Sequence, residues 1–369
     1  MKITAAVVRE KSGPFSIEHI ELQDPRPDEI LVRVAASGMC QTDLHGRDGY
    51  FKTPFPAVFG HEGAGVVAAV GSDIRRFKPG DHVVMSFPWC GRCPNCQRHK
   101  TSYCFDSRGL KMGGTRADGS TLMQQNGAPV YSAFFQQSSF ATYAIANERF
   151  TVKVRADAPL DVLGPFACSI QTGAGAVLNV MQPRPGDALV VFGVGAVGLS
   201  GLMAAKIAGC DPIIVVDIHD NRLRLARELG ATHTINHSGR TDVVTEIRNI
   251  TGGVPYSLET SALPAVLREA VEVLLPLGTC IILGSARGGT EVSLEMRFLQ
   301  DGRSVRGVIQ GDSEPQAFIP QLVELMHDGK FPVDRLITYY ELAEIDRAAL
   351  DAEKGGTIKP VLRMPAERS

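Results

Sequence analysis

The spacing of apolar and polar positions changes character along the chain. Over residues 1–160, short apolar runs broken by glycine and proline follow one another: KITAAVV, EILVRVAASG, EGAGVVAAVG and GDHVVM. Their alternation and flanking turn residues predict a β-rich, barrel-like region. After Pro183 the texture shifts. The stretch DALVVFGVGAVGLSGLMAAKIAG reads as a buried strand, a glycine-rich turn and an amphipathic helix. Further strands are expected at PIIVVD, THTIN, YSLETS, TCIILGS and SVRGVIQG, with helices such as NRLRLARELG and PAVLREAVEVLLPLG between them. Strand alternating with helix predicts a parallel sheet, here of six strands. The tail offers a helix at QAFIPQLVELMHDG and a strand at TIKPVLRM. The fold class is therefore α/β, with a β-rich region ahead of a doubly wound sheet.

A chain of 369 residues suggests two domains. A hydrophobic fraction of 44% and a charged fraction of 21% suit a soluble globular protein. The net charge of −2 gives no field that would draw nucleic acid or anionic lipid. The start, MKITAAVVREKSGPFSIEHI, lacks the apolar core of a signal peptide, and no apolar run approaches the ~18 residues of a membrane span. A cytoplasmic location is expected, and in that reducing compartment clustered cysteines point to metal before disulfide.

Four of the eight cysteines fall in FPWCGRCPNCQRHKTSYC. Cys90, Cys93, Cys96 and Cys104 follow C-x2-C-x2-C-x7-C, which lets four thiolates converge on one Zn2+. Four protein ligands close the coordination sphere, so this zinc is structural and the chemistry lies elsewhere. A nucleic-acid zinc ribbon would want a second pair and a basic surface, which the sequence lacks. Gly193, Gly195 and Gly198 form G-x-G-x-x-G between a strand and a helix, the context in which backbone amides receive a dinucleotide pyrophosphate. Asp217 ends the next strand, where a carboxylate accepts from the adenine-ribose hydroxyls and disfavours a 2′-phosphate, so NAD is expected over NADP. Arg222 is a second candidate for that ribose. Cys40, His61 and Cys168 are weak signals one by one. Together they offer two sulfurs and one nitrogen with an open fourth position, as a catalytic zinc requires. Cys210, Cys280 and His82 read as structural.

The run GHEGAGVVAAVG from Gly60 to Gly71, the four-cysteine loop, and the glycine motif with its aspartate resemble the zinc-dependent alcohol dehydrogenases of the medium-chain dehydrogenase/reductase superfamily. The resemblance covers essentially the whole chain. FFQQSSFATYA and GPFACSIQTGAGA are most similar to bacterial aryl-alcohol dehydrogenases. The resemblance implies a GroES-like catalytic domain from residues 1–169 and 306–369, a Rossmann domain at 170–305, and an active site between them. It implies two zinc ions per chain, NAD as cofactor, and an alcohol or aldehyde as substrate. By motif position, Cys40, His61 and Cys168 hold the catalytic zinc, Glu62 stands behind it, and Asp43 accepts the other N–H of His61. Thr42 is the hydroxyl beside substrate and His45 the outer end of a proton relay. Thr172 and Val197 line the nicotinamide, and Lys359 is a basic partner for the pyrophosphate. Gln41 departs from the Arg or His of many relatives, so weaker phosphate binding is expected there. Phe134–Phe135 and Tyr50–Phe51 offer an aromatic wall, and no basic residue is placed by motif for a glutathione carboxylate. A homodimer or homotetramer, paired through SVRGVIQG, is expected. Aliphatic-alcohol oxidation or aldehyde reduction is the alternative activity. A non-enzymatic scaffold relative should have lost a ligand or a glycine, and none is missing.

Overall fold

A computed structural model describes residues 1–240 and 242–365. The described chain forms two compact units. The first takes residues 1–168, 314–329 and 333 onward; the second takes 169–313 and 330–332. The return to the first unit comes at Glu314 rather than at 306, because Ser304–Gly307 is a strand of the second unit's sheet. The last four residues of the expected 306–369 segment lie outside the described residues. No helix among the described residues is long and apolar enough to cross a membrane.

The first unit is built on two sheets. In one, the strands run in the spatial order Thr151–Lys153, His82–Met85, Glu62–Val70, Glu29–Gly38, Lys359–Arg363 and Ile337–Glu341, and Tyr143–Asn147 also pairs with Glu29–Gly38. The other orders Ala57–Val58, Lys2–Val8, Phe15–Leu22, Met123–Gln125 and Ala128–Val130. Between the predicted strands lie short helices that apolar periodicity does not reveal, among them Gln41–Arg47 and Ser107–Met112. Their few turns are fixed by packing rather than propensity. The core carries Phe59, Phe134 and Phe140 at no exposure.

A buried ion pair ties the segment after the cysteine loop to the central strand. Arg116 donates from Nε and Nη2 to the two oxygens of Glu29 at 2.6 and 2.8 Å, and from Nη1 to Gln23 Oε1 at 2.8 Å. Glu29 opens the strand that carries the chain toward Cys40.

The second unit holds the six parallel strands His233–Asn236, Ile213–Asp217, Leu189–Phe192, Val254–Glu259, Leu274–Ile282 and Ser304–Gly307, in that spatial order. One expectation fails within it. PAVLREAVEVLLPLG is not one helix: the helix is Pro264–Glu272, and Leu274 already belongs to the next strand. Pro276 cannot donate to a helical ladder and Gly278 disfavours one, so the apolar run continues as strand.

Breaking the Arg116–Glu29 pair tests this account. Arg116→Ala leaves the buried Glu29 charge with only the Arg26 amide, at 2.9 Å, as a donor, and should cost about 3 kcal/mol of unfolding free energy. A denaturation midpoint within error of wild type would refute it.

Candidate active site

The site grows from one buried carboxylate. Asp43 lies in the first turn of the helix Gln41–Arg47 and has no exposure. Its Oδ2 accepts the Cys40 N–H at 2.9 Å, and its Oδ1 accepts the Gly60 N–H at 3.1 Å and faces His61 Nδ1 at 2.7 Å. The carboxylate oxygen accepts, so Nδ1 carries a proton and Nε2 is the nitrogen turned away from Asp43 and available to a metal that displaces any proton it holds. Nε2 is buried and has no hydrogen-bond partner. It joins Cys40 Sγ, Cys168 Sγ and a Glu62 carboxylate oxygen in a cluster whose ligand atoms all lie within 4.8 Å of one another. Cys168 is brought in by the turn Gly164–Ala167. A Cβ on Gly164 would stand 2.3 Å from the Glu62 carbonyl oxygen, so only glycine lets the turn lie this close.

The cluster's charges are balanced internally. The Cys168 thiol donates to Cys40 and holds that thiol well below its ordinary value, while the same bond and burial push Cys168 well above. Burial draws His61 down, but the Asp43 charge and hydrogen bond push it up to about 10. Two sulfurs, one of them readily ionised, and an orphaned imidazole nitrogen fit a zinc ion. Behind them Glu62 has no exposure, and burial pushes its carboxyl up against the pull of Lys359. The Lys359 Nζ is buried and bonds to Glu62 Oε2 at 2.8 Å, Glu62 Oε1 at 3.1 Å and the Met39 carbonyl at 2.9 Å. An ammonium has three protons, and these contacts make Lys359 the charge partner of Glu62, a pairing the sequence did not indicate.

Aromatic rings frame the cluster. Phe135 lies on His61 with ring centroids 4.4 Å apart and planes tilted by 30°. Phe134 meets His61 edge-on at 5.9 Å, and it also faces Phe51 at 6.4 Å with the planes tilted by 32°. The expected aromatic wall is thus divided: Phe134 and Phe135 are both buried, Phe51 neighbours His45 and Phe134, and Tyr50 is exposed and stacks on His45 at 4.6 Å. Phe135 holds a left-handed backbone, φ 51° and ψ 26°, which a bulky residue adopts only under constraint. The constraint comes from its neighbours. Gln136 Nε2 donates to the carbonyls of Leu110 and Thr115, both at 3.0 Å. Gln137 accepts the Gly63 N–H at 3.1 Å and donates to the carbonyls of Met85 and His61 at 2.8 and 3.1 Å. The sequence reading missed Gln137; a buried amide beside two phenylalanines was its only signal.

The second cysteine group, Cys90, Cys93, Cys96 and Cys104, also gathers its sulfurs within 4.8 Å of one another. Backbone amides point at them: Cys90 N–H to Cys104 Sγ at 3.2 Å, Cys93 N–H to Cys90 Sγ at 3.4 Å, and Phe105 N–H to Cys93 Sγ at 3.5 Å. The Phe105 amide draws Cys93 down to about 6, while burial pushes Cys96 up to about 12. Four sulfurs and amide donors fit a closed zinc site.

In the second unit, Gly193 has φ 85°, and a Cβ on Gly198 would stand 2.0 Å from the Gly193 carbonyl. The two glycines let the turn fold against the helix Ala196–Ala208. A Cβ on Gly195 would meet open space. Asp217 holds the loop by accepting the Val194 N–H at 2.7 Å, and it also accepts the His219 N–H at 2.9 Å. Thr260, unnoticed in the sequence, donates to the Gly193 carbonyl at 2.7 Å. Thr172 and Val197 are half-buried on the helices Ser169–Gly175 and Ala196–Ala208, and Arg222 keeps a buried Nε without a partner.

Comparison with known proteins bears directly on this geometry. Residues 26–156 match the alcohol dehydrogenase GroES-like domain, and residues 196–328 match the zinc-binding dehydrogenase family. Geraniol dehydrogenase of Castellaniella defragrans is 44% identical over 361 residues, 97% of this chain and 96% of that protein. The chain belongs to the zinc-dependent alcohol dehydrogenases. Among solved structures, an alcohol dehydrogenase zinc-binding domain protein from Burkholderia ambifaria is 50% identical, with a TM-score of 0.97 over 99% of this chain and 100% of that one. Benzyl alcohol dehydrogenase from Acinetobacter calcoaceticus is 42% identical, with a TM-score of 0.95 over the same shares. The protein is therefore an alcohol oxidoreductase that uses zinc and a nicotinamide cofactor.

Two substitutions separate the clusters. Cys93→Ala should lose one zinc per chain and aggregate, since a closed zinc site contributes folding free energy directly; a soluble variant that keeps two zinc ions would contradict this. Asp43→Asn should weaken zinc at the His61 cluster by about 10- to 100-fold in chelator competition, because the imidazole loses the acceptor that orients it. The four-cysteine site serves as the internal control, and equal release from both would count against this assignment.

Proposed function

We propose that this dehydrogenase reversibly oxidises a primary alcohol, benzylic or allylic at its carbinol carbon, to the aldehyde, with NAD as hydride acceptor. The observation that carries the reading is the pair of rings, Phe135 and Phe134, against His61. The likeness to a geraniol and a benzyl alcohol dehydrogenase supports it. Cys40, His61 and Cys168 hold the catalytic zinc and leave a fourth position for substrate; polyol dehydrogenases of the superfamily tend to place Glu where this chain has Cys168. When bound, zinc polarises the alcohol oxygen and the nicotinamide takes up the hydride. Thr42 would accept the hydroxyl proton as it gives up its own, and the half-buried His45, stacked on exposed Tyr50, would receive that proton by way of the nicotinamide ribose, when bound, for release to solvent. Asp43 keeps His61 in its ligating tautomer, and the Glu62–Lys359 pair sets a neutral background behind the sulfurs.

Gly193, Gly195 and Gly198 receive the pyrophosphate, and Thr172 and Val197 flank the nicotinamide. Asp217 retains acceptor capacity for the ribose, which favours NAD, with Arg222 as a second contact. Phosphate binding rests on the helix-terminal amides and on the exposed Gln41. The enzyme assembles as a homodimer or homotetramer through the sheet edge at Ser304–Gly307, where Leu277, Met296 and Ile309 are 80%, 78% and 48% exposed. Two thiolate clusters suit the reducing cytoplasm.

A panel of benzyl alcohol, geraniol and ethanol with NAD and NADP tests the reading. The first two should exceed ethanol in kcat/KM by about 100-fold, with NAD preferred. Ethanol as the best substrate would favour an aliphatic-alcohol enzyme instead. Gln41→Arg should tighten NADH by about tenfold through a charge-assisted bond to phosphate, and an unchanged NADH off-rate in stopped flow would remove Gln41 from the site.

A further inference from the structure

Lys111 has no assigned part in the scheme above, yet its placement is unusual. It sits on the short helix Ser107–Met112 after the four-cysteine loop and is 5% exposed. A helical lysine ordinarily runs its stem along the surface and leaves the amine in water. Here Nζ stands over the ring of Phe87 at 5.1 Å and over that of Phe135 at 5.8 Å. Among the described residues no hydrogen bond or ion pair reaches it. Burial draws the amine down to about 8, against the charges of Cys168 and Cys104, which push it up. Phe135 is the same ring that lies on His61 at 4.4 Å. The amine and the zinc-ligating imidazole therefore share one aromatic partner, and the amine feels the charge of a second member of that cluster. The Phe135 segment is also tied to the Lys111 helix through Gln136 and the Leu110 carbonyl.

We propose that Lys111 is a specificity-determining residue whose ammonium, set on the faces of Phe87 and Phe135, binds a ring hydroxyl of an aromatic alcohol held at the His61 cluster. A buried donor without an acceptor favours the ligand that supplies one and penalises the ligand that does not. A phenolic oxygen meets this need and leaves its ring free to pack against the aromatic frame. A carboxylate would bring a full negative charge toward the sulfurs of Cys168 and Cys104, whereas a hydroxyl does not. The inference rests on the aryl-alcohol reading above and narrows it to hydroxylated rings.

The test compares kcat/KM for benzyl alcohol and the three hydroxybenzyl alcohols, using zinc-loaded wild type and Lys111→Met, a substitution of similar length without the charge. In wild type the best hydroxybenzyl isomer should exceed benzyl alcohol at least tenfold, and in Lys111→Met that ratio should fall at least tenfold. A purely structural lysine would lower both substrates together and leave the ratio intact, which would overturn the proposal. Should the variant fail to fold, the wild-type ratio decides alone: hydroxybenzyl alcohols no better than benzyl alcohol would overturn it. A wild-type enzyme that ignores every benzyl alcohol yet oxidises ethanol would instead overturn the aryl-alcohol reading itself.

Discussion

The bond between Asp43 and His61 is the contact on which the site depends. At 2.7 Å, with both residues almost wholly buried, it fixes which imidazole nitrogen carries the proton and which is left to bind metal. The same carboxylate accepts the amides of Cys40 and Gly60, so one side chain sets the positions of a sulfur ligand, a nitrogen ligand and the turn between a helix and a strand. Fully buried charge is costly unless each lone pair finds a partner. Asp43 accepts from three donors, two amides and the His61 imidazole, which holds the geometry in the interior.

Other buried charges in the first unit are handled in three different ways. Glu29 and Arg116 form a two-pronged pair with planar complementarity and act as a strut. Glu62 and Lys359 neutralise each other beside the metal cluster, and the lysine spends its last proton on a backbone carbonyl. Lys111 stands over two aromatic faces and, among the described residues, has no hydrogen bond. Strength of partnering thus falls from strut to background to a lysine whose donors meet only aromatic faces.

Backbone strain follows the same logic. The left-handed conformation of Phe135 is followed by two glutamines whose side-chain amides donate to backbone carbonyls. In the second unit, Asp217 and Thr260 hold the glycine turn from either side, so its amides are positioned before any phosphate arrives.

The sequence by itself determined the metal chemistry and the fold class. Cysteine spacing of two residues leaves the thiols of Cys90, Cys93 and Cys96 little choice but to converge, and a strand–glycine turn–helix run dictates a parallel nucleotide-binding unit, because both signals are local. It also indicated the joint use of Cys40, His61 and Cys168 through a family motif. It missed or misread what depends on distant partners. The pairing of Val361 with Gly38 carries Lys359 to Glu62, a partner that no local pattern announces. The segment around Leu274 looked helical until it paired as a strand. Gln137, Thr260 and the buried amine of Lys111 leave no periodic or spacing signature at all. Their roles are set by which acceptors and rings other parts of the chain bring within reach, and burial, which makes each missing or available partner count, exists only in the folded structure.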